Sequence, residues 1–341
     1  MNWRQYFDVE PGFLNTASIG VPPLVALEEL DVVLDAWRHG RLGAHDFDQY
    51  VERARNAWAR LAMVNPDDVA IGATVSGLTG IVASALPDSA RVLIASGDFT
   101  SVTFPFLAQE YRGVRTVEVP LERLVDAIDD SIELVAVSSV QSSDGRIVGI
   151  DALVDRAKAH GTKLLIDTTQ SCGWLPLDCS QFDYTVCAAY KWLLSPRGVA
   201  FLSVRPERLQ DLVPNSAGWY AGDDIWESLY GSPLRLAKNA RRLDTSPAWF
   251  SWVGAASALE LLCGLDLNQI RDHDIRLANL LLTELKLPEQ NSAIISLNIP
   301  DAEHRLKDAG VRSSTRAGKV RASFHLYNDE ADVALALNAL S

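Results

Sequence analysis

Two short apolar runs, each leading to a charged residue, constrain this chain more than any other feature. Leu164, Leu165 and Ile166 end in Asp167; Tyr184, Thr185, Val186 and Cys187 lead on to Tyr190 and Lys191. Runs of this length, bounded by turn residues, suit interior strands of a parallel sheet that is buried on both faces. Ligands of such sheets bind beyond the carboxyl ends of the strands. Asp167 and Lys191 both fall there, so a carboxylate and an amine can converge on one site. The surrounding chain extends the pattern. Residues 69–71, 91–95, 114–117 and 134–137 read as strands, with helices expected at about 72–86, 121–127 and 151–160, the last closed by Gly161. Such alternation marks an α/β domain. Residues 24–62 read as helical with a break around 40–43, and residues 277–285 and 293–299 as a later helix and strand.

A chain of 341 residues exceeds one typical domain. The expected division is an N-terminal arm at 1–23, a large domain at 24–245 and a small C-terminal domain at 246–341. No charge-free apolar run approaches bilayer length, and no basic segment precedes a secretory apolar core. The expectation is a soluble cytoplasmic protein with no membrane partner. A net charge of −13 argues against non-specific nucleic-acid binding, which needs basic surface. Cys172, Cys179, Cys187 and Cys263 lack metal-ligand spacing and are too few for a disulfide framework, so no metal site is expected. No G-x-G-x-x-G follows the early strands, which counts against a nicotinamide-dependent oxidoreductase.

A lysine for a Schiff base and an acid for a pyridinium nitrogen are what pyridoxal phosphate chemistry requires. The wording around both residues is specific. The segments IDTTQSCG and DYTVCAAYKWLLSPRGVAFL resemble the cofactor segments of class V aminotransferase-like enzymes, D-x-x-[QH]-S-x-G followed by [HY]-K-x-x-x-G-P-x-G. Ser195 stands where that pattern has glycine. The group includes cysteine desulfurases, kynureninases and isopenicillin N epimerase-like enzymes. The resemblance implies a fold-type-I pyridoxal-phosphate-dependent transferase, with a large three-layer α/β/α domain on a mainly parallel sheet and a smaller α+β C-terminal domain. It also implies a homodimer acting on a small-molecule amino acid.

Carried onto this sequence, the family pattern assigns roles residue by residue. Lys191 would carry pyridoxal 5'-phosphate and move protons at the substrate α-carbon, and Asp167 would face the ring nitrogen. Gln170 would donate to the ring's phenolic oxygen. Thr74, Val75 and Ser76, opening a helix, would hold the phosphate with Tyr190, since free N–H groups and the helix dipole favour an anion. Phe99, in GDFTSVTFPF, would cover one ring face. Asn15, in FLNTASIGVPP, lies in the segment near the substrate end. Arg321, in VRASFHLYN, would pair with the α-carboxylate through two parallel charge-assisted bonds; nearby Arg316 reads equally well as an exposed strand arginine. Ser246, or else Thr245, would reach the partner subunit's cofactor phosphate.

Three departures bear on the reaction. Ser139 stands where many relatives have histidine, and Gln141 where they have serine, at positions implied to lie near cofactor and substrate. No cysteine lies between Arg312 and Arg321, which counts against a cysteine desulfurase. The aromatic loop with Trp219, Tyr220, Trp226 and Tyr230 is expected to meet a pocket or a second subunit. The expected activity is transamination of a small or polar α-amino acid. A C–S or β-lyase, an epimerase, a kynureninase-like hydrolase and a non-catalytic binding relative stand as alternatives, because fold alone does not choose among them.

Overall fold

The computed structural model describes residues 3–340, so the first two residues of the arm and Ser341 lie outside the description. Seven strands form the main sheet: β1 (Val69–Gly72), β2 (Arg91–Ala95), β3 (Arg115–Val119), β4 (Leu134–Ser138), β5 (Lys163–Asp167), β6 (Tyr184–Ala188) and β7 (Ala200–Val204). Their spatial order is β1-β7-β6-β5-β4-β2-β3, and β7 alone runs antiparallel to its neighbours. Every residue of β4, β6 and β7 is buried. That is why these strands read as near-continuous apolar runs rather than alternating ones.

Helices cover both faces. Alternate residues of one strand serve opposite cores, as the two-residue period of a strand requires. On β5, Ile166 joins the core with Trp58 and Trp252, whereas Leu165 joins the core with Leu78, Val102 and Phe106. The first core lies under α1 (Leu24–Arg38), α2 (Asp48–Ala62), α5 (Ile150–His160) and α6 (Trp249–Cys263); the second lies under α3 (Val75–Ala85) and α4 (Thr100–Leu107). Trp58 stacks on Phe201 at 4.9 Å, and Trp252 meets the same ring edge-on at 5.4 Å. Burying one such side chain contributes roughly 1.5–3 kcal/mol.

The small unit has its own core. It holds the antiparallel sheet β8-β10-β9, made of β8 (Ile294–Leu297), β9 (Ser314–Arg316) and β10 (Lys319–Ser323). Against it pack α7 (Leu267–Glu284), α8 (Ala302–Asp308) and α9 (Glu330–Leu340), joined through Leu281, Leu306, Phe324 and Val333. α6 buries its apolar residues against α1 and α2 in the large core, Ile270 of α7 packs there too, and α7 enters the small core from Leu277 on. The N-terminal arm spans both units. Leu14 enters the small core, and Arg4 reaches Asp332 at 3.0 Å. Gly20 N–H donates to the Tyr190 carbonyl at 2.9 Å. A Cβ on Gly20 would sit 2.0 Å from the Lys191 carbonyl oxygen, so only glycine lets the arm lie against that turn.

Two expectations fail locally. The amphipathic helix expected at 121–127 is a 3-10 turn, Leu121–Arg123, followed by further turns. Its backbone bonds run mainly between residues three apart, and Leu124 and Ile128 are both buried in the core. The later helix begins at Leu267, ten residues before its expected start, with Asp266 capping Asn268 N–H at its N-terminus.

Candidate active site

Strands β5 and β6 are adjacent and parallel, so their carboxyl ends open on the same side of the sheet. A cleft with about 580 Å³ of free space lies there, and its lining includes Asp167, Gln170, Tyr190, Lys191, Phe99 and the turn carrying Thr74, Val75 and Ser76. The cleft thus collects nearly every residue singled out as a cofactor contact.

Asp167 and Lys191 are 3% and 4% exposed. Desolvation raises the Asp167 carboxyl to about 6, opposed by the Thr169 hydrogen bonds and the Lys191 charge. The Thr169 backbone N–H donates to Asp167 Oδ1 at 2.8 Å. The same burial lowers the Lys191 amine to about 8; Asp167 opposes this, and Arg321 and Arg316 add to it. Lys191 Nζ lies 5.1 Å from the Phe99 ring centre and 5.7 Å from that of Tyr190. Phe99 is 41% exposed and faces the cleft rather than the core.

At one end of the cleft, α3 begins. Thr74 caps it, accepting from Gly77 N–H at 3.2 Å. By helix geometry the first-turn N–H groups of Val75 and Ser76 have no carbonyl partner within the helix and suit an anion. Arg197, 5.4 Å over the Tyr190 ring, adds a positive charge to the same lining.

Arg321, 1% exposed, is not in the cleft lining but sits behind Ser142, which is. Its Nη1 donates to the Ser142 carbonyl and to Ser142 Oγ at 3.1 Å, and its Nη2 to Ser18 Oγ at 2.7 Å. Its buried Nε has no partner. Guanidinium has five N–H donors, so the Nε hydrogen and one on Nη2 stay free, enough for a bidentate carboxylate. Burial, reinforced by Arg316, lowers the Arg321 guanidinium to about 10. Asn15 is held against Ser323 by a parallel bridge, and its buried Oδ1 also lacks a partner.

Several residues behave differently from expectation. Gln170 lines the cleft, but its Nε2 already donates to the Ala17 carbonyl and to Ser142 Oγ, both at 3.0 Å, and its Oε1 accepts from Trp192. It can serve a ring oxygen only by giving up one of these bonds. Ser139 bonds Ser171 Oγ at 2.7 Å and Gln141 reaches the Asp98 carboxylate at 3.3 Å; neither lines the cleft, whereas Ser138 and Ser142 do. Ser246 is exposed on the turn before α6, outside the cleft lining, and Thr245 N–H donates to the Ile71 carbonyl. Tyr220 and Trp226 turn inward to the Asp48 carboxylate at 3.1 and 2.9 Å, leaving Tyr230 exposed.

Sequence reasoning missed Asp98. Its carboxylate accepts from Phe99 N–H at 2.6 Å, from Ser138 N–H at 2.7 Å and from Ser138 Oγ–H at 2.6 Å. It therefore fixes the backbone under Phe99 to the end of β4. The G-D-F triplet after a strand was the available signal.

A family model described as aminotransferase class-V matches residues 100–307. The chain belongs to the class-V aminotransferase family. That family is one of pyridoxal-phosphate-dependent enzymes. Among its curated members, the uncharacterized aminotransferase YcbU of Bacillus subtilis is 34% identical over 232 residues, covering 65% of this chain and 61% of that protein. Isopenicillin N epimerase of Streptomyces clavuligerus is 30% identical over 183 residues, covering 49% of this chain and 46% of the epimerase. The chain thus spans less than two thirds of the length of these two relatives. In fold, a C-DES mutant with glycine covalently linked to its PLP cofactor superposes with a TM-score of 0.89 at 20% identity, over 99% of this chain and 98% of that one. The cysteine desulfurase CsdA of Escherichia coli superposes with a TM-score of 0.84 at 18% identity, over 99% of this chain and 96% of that one. The class-V architecture therefore extends over the whole described chain, and the expected large mainly parallel sheet with a small C-terminal unit is the one observed.

Proposed function

We propose that the cleft binds pyridoxal 5'-phosphate and that the protein transforms an α-amino acid at its α-carbon, with transamination as the reaction. One observation carries the reading: a buried, low-pKa lysine and a buried carboxylate, from adjacent strand ends, share a cleft with a capped helix start. When bound, the cofactor supplies an electron sink for the pair released as a bond at the α-carbon breaks. The rest is work for this chain's side chains. Val75 and Ser76 N–H, Thr74 and Tyr190 hold the phosphate, and Phe99 covers one ring face and excludes water. Asp167 keeps the ring nitrogen protonated. Its own carboxyl is still mostly ionised at pH 7, as that pairing requires. Lys191 anchors the aldehyde and then holds or moves the proton at the α-carbon. Arg321 orients the α-carboxylate through its unpartnered Nε edge. The lack of a cysteine between Arg312 and Arg321 keeps persulfide transfer behind transamination and β-lysis.

The working unit is proposed to be a homodimer. Supporting it are Val32 and Trp37 on α1, exposed at 69% and 60%, and Tyr111 after α4 at 82%. Ser246 is exposed and stands outside its own cleft, and its proposed role at a neighbour's cofactor phosphate rests on the family pattern. Sedimentation should give a dimer, and a monomer that turns over substrate would sink this part.

Product analysis on purified holoenzyme against amino acids, with and without keto acids, tests the reaction. Transamination predicts keto-acid-dependent exchange of amino groups, and lysis predicts pyruvate and ammonia without an acceptor. Arg321→Ala should raise KM for α-amino acids by about 10- to 100-fold, the loss of a charge-assisted pair worth roughly 1.5–3 kcal/mol. An unchanged KM would reopen the substrate class.

The lysine also sets a pH dependence. Only its neutral amine attacks the cofactor's aldehyde. With the folded amine at about 8 rather than 10.5, capture of pyridoxal phosphate by the apo-protein should accelerate as pH rises and level off above about 8. A rate still climbing beyond pH 10 in a stopped-flow series would contradict the burial argument.

A further inference from the structure

Strand pairing puts several positive charges on one face of the small sheet, beside the arginine proposed to hold the substrate carboxylate. In the β9–β10 hairpin, Lys319 lies opposite Arg316 and Arg321 opposite Ser314. Directly opposed residues share a face, and so do alternate residues along each strand, so Arg316, Lys319 and Arg321 project to the same side. Like charges placed directly opposite destabilise a hairpin. Here nothing inside the protein relieves them. Among the described residues no carboxylate pairs with Arg316, Lys319 or Arg321, and the nearby acid Asp144 is taken by Arg146 at 2.9 Å.

Arg316 is turned toward the site. Its Nη2 lies 3.4 Å from Ser18 Oγ, the oxygen that Arg321 Nη2 reaches at 2.7 Å. Two guanidinium groups thus flank one hydroxyl. The charge of Arg316 is also felt by both Arg321 and Lys191. A monocarboxylate uses the free donors of Arg321 alone. The cofactor's phosphate would be held at the helix start by Thr74, with Arg197 nearby. Lys319 lines a separate pocket with Asp144, so Arg316 is the further cation beside Arg321.

We propose that the substrate carries a second anionic group on its side chain, a carboxylate or sulfonate, and that Arg316, beside Arg321 at Ser18, binds it. This rests on the reading of the cleft as an amino-acid site, and it replaces "small or polar" with "acidic". Arg316 is exposed on its hairpin, so exchanging it should leave the fold intact.

The test compares L-aspartate, L-glutamate and L-cysteate with L-asparagine and L-glutamine on the holoenzyme and on R316Q. The acids should be preferred in kcat/KM, and in the variant that preference should fall by about 10-fold or more, chiefly through KM. A second readout needs no turnover. Glutarate should protect the holoenzyme against thermal unfolding at concentrations where butyrate does not, and R316Q should abolish the difference. Amides used as well as acids, or glutarate and butyrate bound alike, would overturn the proposal while leaving the cofactor reading intact. Failure of Lys191 to take up cofactor at all, shown by borohydride labelling, would remove both.

Discussion

Replacing Lys191 by alanine is expected to cut kcat by roughly a thousand-fold or more, since positioned proton transfer alone contributes about 10²–10⁴. The residue is 4% exposed, its amine is lowered by burial, and it lies 5.1 Å from the ring proposed to cover the cofactor. No other lysine lines the cleft. Borohydride reduction of the loaded wild-type protein, followed by peptide mapping, should place the label on Lys191. Label on Lys158, Lys163 or Lys238, or an alanine variant that keeps wild-type turnover, would overturn the assignment. The same variant should still be folded. A lysine side chain pointing into a solvent-connected cleft leaves no sealed cavity when it is shortened, so the unfolding midpoint should hold while activity is lost.

The largest expected effect on stability lies elsewhere. Asp244→Ala should destabilise the protein by about 3–5 kcal/mol, because it strands a buried guanidinium. Arg55 and Asp244 are 2% and 0% exposed and paired at 2.7 Å. Asp244 Oδ1 also accepts from Ile71 N–H at 2.8 Å, and Arg55 Nη1 donates to the Val69 carbonyl. Burial raises the Asp244 carboxyl, and Arg55 opposes that rise. The pair therefore ties α2 and the chain entering α6 to the edge strand β1, whose carboxyl end leads into the Thr74 turn. Urea unfolding of the variant should show the loss. A change below about 1 kcal/mol would mean that water reaches Arg55 once the carboxylate is gone. Substitution of both partners by apolar residues of matching volume should recover much of the stability, since such replacement is often neutral or better.

These two residues differ in how far the sequence announced them. Lys191 sits at the end of a mostly apolar run inside a family-like motif, so both its place and its proposed role were legible. Arg55 looked like one of many helix arginines, and Asp244 like a turn acid; only their meeting across 189 positions makes them structural. The same contrast holds in the cleft. Thr74, Phe99, Asp167 and Tyr190 each follow a strand or open a helix, and residues at those places face the ligand side by the geometry of a parallel sheet. Ser139 and Gln141 sit beside such an end but turn inward, to Ser171 and Asp98. A shift of one residue at a strand terminus reverses a side chain's face, and no local pattern sets where a strand stops to within one residue.

Local chemistry in the chain determined the α/β class, the strands that carry Asp167 and Lys191, and the helix start capped by Thr74. Each depends on periodicity, capping and turn residues within a few positions, and these act before any distant contact forms. The tertiary structure decided the rest. The hairpin register turned Arg316 from a surface arginine into a neighbour of Arg321, and the arm brought Ser18 between them. Tyr220 and Trp226 folded onto Asp48 of their own chain, and α6 joined the large core. All of these are set by pairing and burial between segments far apart in sequence, where the free energy comes from a partner that no local window contains.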